Sequence, residues 1–208
     1  MLGALINAWR VPDLRKKILY TALLLFIYRL GSFIPVPGVN TASFVAEFQR
    51  LAGETGVGLL SLLDMFSGGG LSRATVFALN VGPYITASII IELLAVVIPA
   101  LEELKKEGPE GRKKMSQYTR YGAVALALIQ GYSYSVMFGT AVRPGVLWKL
   151  LIVLSMTAGA AFTMWLGDKI SEKGIGNGIS LIIFAGILSR FPAQLQGVVG
   201  MLKQGIGN

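Results

Sequence analysis

The residues of this chain that could do chemistry are few, and their types exclude most reactions. There is no Cys and no His, so thiolate nucleophiles, disulfides, imidazole metal ligands and histidine proton relays are all ruled out. Ser, Asp and Glu occur without a His, a Cys or a paired carboxylate in the same apolar run, so the chain is not expected to be an enzyme and no metal or cofactor is expected. What remains are single polar groups in apolar surroundings: Arg29, Asn80 and Glu92. A carboxylate in the middle of a spanning helix costs about 2.5 kcal/mol or more on insertion scales, so Glu92 should face protein or water. Arg29 should snorkel to the headgroups, because its apolar run ends soon after it. Gly174-Ile-Gly-Asn-Gly178 has the glycines of a phosphate loop, but no strand precedes it and no Gly-Lys-Ser/Thr follows. It reads as a turn, with Asn177 near the N-cap of the next helix.

The elements that must position these groups are membrane helices. The 208 residues are 53% hydrophobic and 14% charged, with a mean hydropathy of +0.63, against roughly 25% charged in soluble domains. Runs of about 20 apolar residues can span a bilayer, and they predict an all-α integral membrane protein with five spans, at 18–36, 74–99, 121–138, 147–166 and 178–190. Residues 1–17 are too polar for a removable signal peptide. Of the 19 Lys and Arg, Arg29 lies in a span, twelve fall in segments 1–17, 100–120 and 167–177, and six fall at the other ends and connections. That bias places the N-terminus in the cytoplasm, with 37–58, 139–146 and 191–208 outside. With five crossings, a second copy of such a unit would be inverted, an arrangement that builds pathways through the membrane centre.

Between the first two spans lies a stretch that cannot cross. Leu59 to Phe66 has half the required length and leads into Gly68-Gly69-Gly70. Either it fills an external cavity as a half-helix, with glycines as its hinge, or it lies flat on the outer surface as an amphipathic helix. Beyond it, Val81 and Ile85 share a helical face, with Pro83 between them predicting a kink near Leu79. Aliphatic side chains facing a lumen form a constriction by dewetting; ordinary packing is the commoner reason for such a pair. Ser155, Gly159 and Thr163, spaced by four, predict a close helix contact. The basic segment Leu101 to Arg120 is either the cytoplasmic topology signal or also a docking loop for an acidic or RNA-rich partner.

Four stretches, RLGSFIPVPGV, MFSGGGLSRATVFALNVGPYITASIIIELL, KKEGPEGRKKMSQYTRYG and MWLGDKISEKGIGNGISLIIFAGI, resemble in order the N-terminal half of the SecY family, the channel subunits of the bacterial Sec protein translocase. The resemblance covers about Pro12 to Pro192 and implies half of an inverted-repeat, ten-helix channel that passes unfolded polypeptides and releases transmembrane segments sideways. It makes 59–73 an external plug half-helix with its hinge, carrying Leu60, Leu63, Met65, Phe66, Gly68, Gly69 and Gly70. It puts Val81, Ile85 and Ile183 in an aliphatic pore ring, and Thr86, Ile90 and Glu92 on one side of a lateral gate. Lys105, Lys106, Arg112, Lys113 and Lys114 would serve a cytoplasmic partner loop. The implied partners are SecE and SecG, the SecA motor or the ribosome, secretory preproteins with their signal sequences, and the lipid of the inner (plasma) membrane, with no sequence-specific nucleic-acid binding. The sequence departs from the pattern at Glu92, where a neutral polar residue is expected, and five spans alone cannot close a ring. The rival reading is half of an inverted-repeat secondary transporter for a small solute, with Asn80 and Glu92 as its binding groups.

Overall fold

The computed structural model describes residues 11–54, 59–137 and 139–205, with side chains over 11–51, 62–137 and 141–191. Helix α1 (Pro12–Gly31) starts on a proline with Asp13 in its first turn, an arrangement suited to a helix N-terminus. It therefore begins ahead of the expected boundary at residue 18 and takes Arg15, Lys16 and Lys17 into helix. Helix α2 (Thr41–Glu54) occupies much of the expected external loop. The Asn40 side-chain oxygen caps it by accepting the Ala42 and Ser43 amides at 3.1 and 3.3 Å, and Phe44 and Phe48, one turn apart, bury its inner face. Helix α3 is the short one, Leu59–Phe66; Leu60 is helical, but its side chain lies outside the described residues.

The largest departure from expectation follows. The span predicted at 74–99 is not one helix: residues 67–81 form consecutive tight turns, and α4 runs only from Gly82 to Val97. Pro83 does not kink this helix. It sits in the first turn, where its missing N–H would have no partner anyway. At the other end, the residue before Pro99 is forced extended, and Ile98 has ψ 110°. Helix α5 (Pro99–Lys106) consequently leaves at 103° to α4.

The basic segment expected as a loop at 100–120 is largely helical. It consists of α5, a turn at Gly108 (φ 77°) and the first turns of α6 (Pro109–Met137). After a short 3-10 turn at Gly139–Ala141, α7 spans Val146–Lys173 and absorbs most of the predicted loop at 167–177. Helix α8 runs from Gly178 to Gly205, past the expected boundary at 190 and through Pro192, so the segment expected outside from 191 is helix as far as Gly205. Proline already has a helical φ and forfeits one hydrogen bond, a loss that membrane helices tolerate. Asn177 does cap α8, accepting the Ser180 amide at 3.2 Å.

Among the described residues there is no strand, only isolated bridges between Pro35 and Thr75 and between Val39 and Val142. The core is split along the molecule. One cluster joins α2, the 71–79 turns and the start of α7; another joins α1, Phe77, Val81, the end of α7 and Ile182. The periphery is equally apolar: Leu23 and Phe26 of α1, Leu93 and Val97 of α4, and Leu147 and Leu154 of α7 all point outward. Such continuous apolar exteriors mark a surface that something other than water covers. Among the described residues, α7 is long and apolar enough by itself to cross a bilayer, with hydropathy 1.8, and α4 with α5 is so when the bent pair is counted as one span. Helix α1 is lowered by its four bases and α6 by the polar run Gln130 to Ser135.

Candidate functional site

The site is built around the turn segment 67–81. Leu71, Ala74, Thr75, Phe77, Ala78, Leu79, Asn80 and Val81 are all buried, so their backbone groups must find protein partners. They do so locally, through bonds such as Ala78 N–H to Thr75 O (2.9 Å) and Asn80 N–H to Phe77 O (3.0 Å). They also bond to the chain leaving α1, with Val36 N–H to Ala74 O at 2.8 Å and Val76 N–H to Ile34 O at 2.9 Å. Ala74 and Asn80 pay for the tight path with positive φ, 49° each. Gly159 and Thr163 of the small-residue stripe on α7 make their close contacts here. A Cβ at Gly159 would overlap the Val76 carbonyl, and Thr163 Oγ1 lies 3.1 Å from Asn80 O.

The triple glycine is not loosely held. All three residues are buried; Gly68 and Gly69 have φ 65° and 88°, and a Cβ on Gly68 would stand 3.0 Å from the Gly186 Cα, one on Gly69 2.7 Å from Arg190. Left-handed backbone and close approach therefore both select glycine here, beyond any need for a hinge. Around these glycines three side chains converge. Asn80 Nδ2 donates to Phe66 O at 2.8 Å. Arg29 points its guanidinium at Gly68 O, at a long 3.5 Å, and lies over the Phe33 ring. Arg190 pairs with the Asp64 carboxylate and donates to Ser72 Oγ at 2.8 Å. The Asn80 Oδ1 and the Tyr28 hydroxyl have no partner among the described residues.

Next to this knot lies a cavity of about 610 Å³. Leu63 and Phe66 of α3, Val81, Ile85 and Thr86 around the start of α4, Ile183 of α8, and Gln130 and Ser133 of α6 line it. The residues expected in the ring thus meet in one space, together with two from the short helix. Met65 is half-buried outside that lining. Ile90 and Glu92 are also outside it, exposed further along α4, so of the three residues expected at the gate only Thr86 lines the cavity. The five basic residues are exposed on α5 and the start of α6. Lys106 holds Glu102 at 2.6 Å, and that hydrogen bond keeps the Glu102 carboxyl below its ordinary range; Lys114 is 3.7 Å from Glu107. Among the described residues, Lys105, Arg112 and Lys113 carry no ion pair, so the patch stays net positive.

Two features escape a sequence reading. The Asp64–Arg190 pair joins residues 126 positions apart (190 − 64), and the only signal was an acid in an apolar octet and a base in the last apolar run on the same predicted side. Gln130 and Ser133 enter the cavity because α6 is polar on that face, visible in sequence only as weak hydropathy.

The SecY family model matches residues 75–207 of the chain. The protein translocase subunit SecY of Thermotoga maritima is 46% identical over 204 residues, covering 94% of this chain and 47% of that protein. Its counterpart in Escherichia coli K12 is 44% identical over 200 residues, covering 93% and 44%. The chain thus spans about half the length of the curated relatives it matches. Among solved structures, Sec61 in the canine ribosome-channel complex from the endoplasmic reticulum superposes with a TM-score of 0.67 at 19% identity, over 93% of this chain and 43% of that one. A SecY structure described by its plug domain, which stabilises the closed state of that translocation channel, gives 0.64 at 22% identity, over 93% and 42%.

Proposed function

The chain belongs to the SecY family, and on that premise we propose that it is the first half of a channel through which unfolded polypeptides cross a membrane and apolar segments leave sideways into lipid. The observation that carries this reading is the shared cavity: α3 contributes Leu63 and Phe66 to the space lined by Val81, Ile85 and Ile183. An aliphatic neck suits this task. It resists water and ions by dewetting, yet offers a sliding chain no hydrogen bonds or charges to hold it. In this reading α3 is the plug, and the ring is Val81, Ile85 and Ile183. The five spans are α1, the 74–97 stretch, the second part of α6, α7 and α8, with the N-terminus in the cytoplasm of a cell bounded by the plasma (inner) membrane. Thr86, Ile90 and Glu92 belong to the gate edge formed by α4 and α6, completed by the other half of the protein. The exposed bases of α5 and α6 face SecA or the ribosome, and SecE and SecG complete the complex. No reaction chemistry is assigned to it.

The transporter alternative loses one of its two binding groups: Glu92 lies outside the cavity lining, which leaves Asn80 alone, with its Nδ2 committed to the Phe66 carbonyl. The test is a photo-crosslinker at Val81 or Ile183 of the full-length protein, assembled with its partners and holding an arrested secretory chain. Crosslinks to the arrested chain at both positions, and none at outward-facing Leu154, are expected. Equal labelling at all three, or none at the ring, would overturn the assignment.

A further inference from the structure

We propose that Asp64 and Arg190 form an ionic latch that seats α3 in the cavity mouth, a role that rests on reading α3 as the plug. Asp64 is 2% exposed, although it stands on a short helix whose one other polar residue is Ser61. Both of its oxygens are engaged: one pairs with Arg190 and the other accepts the Ser72 amide at 2.7 Å. Arg190 also donates to Ser72 Oγ, so the guanidinium clamps the helix and the turn beyond the glycines together. Gly69 makes the clamp possible, because any Cβ there would stand within 2.8 Å of the guanidinium nitrogens. The base is anchored on the wall and not on the moving part. Helix α8 packs on α7 and α1 through fully buried Ile182, and a Cβ on Gly178 would overlap the Gly167 carbonyl.

Withdrawing α3 must therefore separate a buried carboxylate from its cation. The other two ties, Asn80 to Phe66 O and Arg29 to Gly68 O, end on main-chain carbonyls, which can be exchanged for water without stranding a charge. The ion pair is the element that distinguishes the seated state electrostatically.

The two partners are unequal, and this gives the test its direction. The Arg190 side chain is 31% exposed and that of Asp64 2%. Losing Arg190 leaves a buried, unpaired carboxylate, whereas losing Asp64 leaves a base that water can reach. In the full-length protein assembled with its partners, resting ion conductance across planar bilayers should rise about tenfold or more in R190Q. D64N should raise it less, and R190K should stay near wild type, because it keeps the charge. Export of a normal preprotein by each variant reports that the channel is assembled, and should R190Q fail to accumulate, D64N against wild type decides. Wild-type conductance in D64N together with either R190Q or its absence overturns the latch, as does equal leak from R190K and R190Q. Replacing residues 60–70 with a short linker separates the two ideas. Leak from that variant with silent point variants removes the latch and keeps the plug; no leak from it removes both.

Discussion

At Gly68 a side chain has nowhere to go. The backbone is left-handed, and an added Cβ would stand 3.0 Å from the main chain of α8 at Gly186. Gly82, fourteen residues on, has open space around its Cβ position and an ordinary φ. The pair makes a controlled experiment: Gly68→Ala should destabilise the purified protein by about 1–3 kcal/mol, and Gly82→Ala should be near neutral. Thermal unfolding in detergent reads both, and equal shifts would mean that the glycine run is held no more tightly than a surface turn. Only half of this was legible in the sequence. Three glycines in an apolar run announce unusual backbone angles, but a hinge and a close approach use the same residue, and only the neighbours distinguish them. Those neighbours, Gly186 and Arg190, lie more than a hundred positions away. The same distance hid the Asp64–Arg190 pair, although both residues stood out individually as charges in apolar runs.

Elements were legible where hydrophobic period and length agree, and misread where tertiary packing replaces helix. The apolar count over 74–99 fits one span, yet its first eight residues are buried turns, because α7 offers Gly159 and Thr163 where a helix with larger residues would exclude them. Gly159→Leu should therefore act on the turn segment and not on helix pairing. It should cost about 1–3 kcal/mol or more by overpacking, and it should increase proteolysis between 67 and 81 without loosening α6 from α7; cleavage spread evenly over the connections would contradict that. Pro83 and Pro192 show the opposite limit of pattern reading. Both suggest breaks, but the first lies at a helix start, where it is favoured, and the second inside a helix that continues to Gly205. Helix α3, with eight residues, is too short to cross, and the two side chains it contributes to the cavity lining give the element-scale prediction. A linker in place of 60–70 should leave the remaining helices folded by circular dichroism and raise ion leak through the assembled channel. Unchanged resting conductance would remove the plug assignment.

On the scale of the whole molecule, the fold class was plain from composition, because 14% charge cannot cover a water-facing surface; the outward Leu, Val and Phe side chains of α1, α4 and α7 are the same fact in three dimensions. The cavity was less visible, since its walls come from α3, α4, α6 and α8 and no single window of sequence contains them. Sidedness rests on charge alone: Lys105, Arg112 and Lys113, without an ion pair among the described residues, cluster at the α5–α6 elbow, while α2 at the opposite end carries Arg50 paired with Glu47 at 2.7 Å. A chain without cysteine permits a direct test of the orientation. Single cysteines at Lys113, on α6, and at Ser43, on α2, replace exposed side chains. A membrane-impermeant maleimide added to intact cells stripped of their outer envelope should label Ser43→Cys and spare Lys113→Cys. Inverted vesicles should give the reverse. If both cysteines react from one side, residues 43 and 113 lie on the same face and the number of crossings between them is even, which removes the five-span arrangement. If the two preparations exchange their expected patterns, the spans stand but the basic elbow faces outward. The positive charge would then have to act against the usual inward retention of Lys and Arg, and the elbow could not meet a cytoplasmic motor or ribosome.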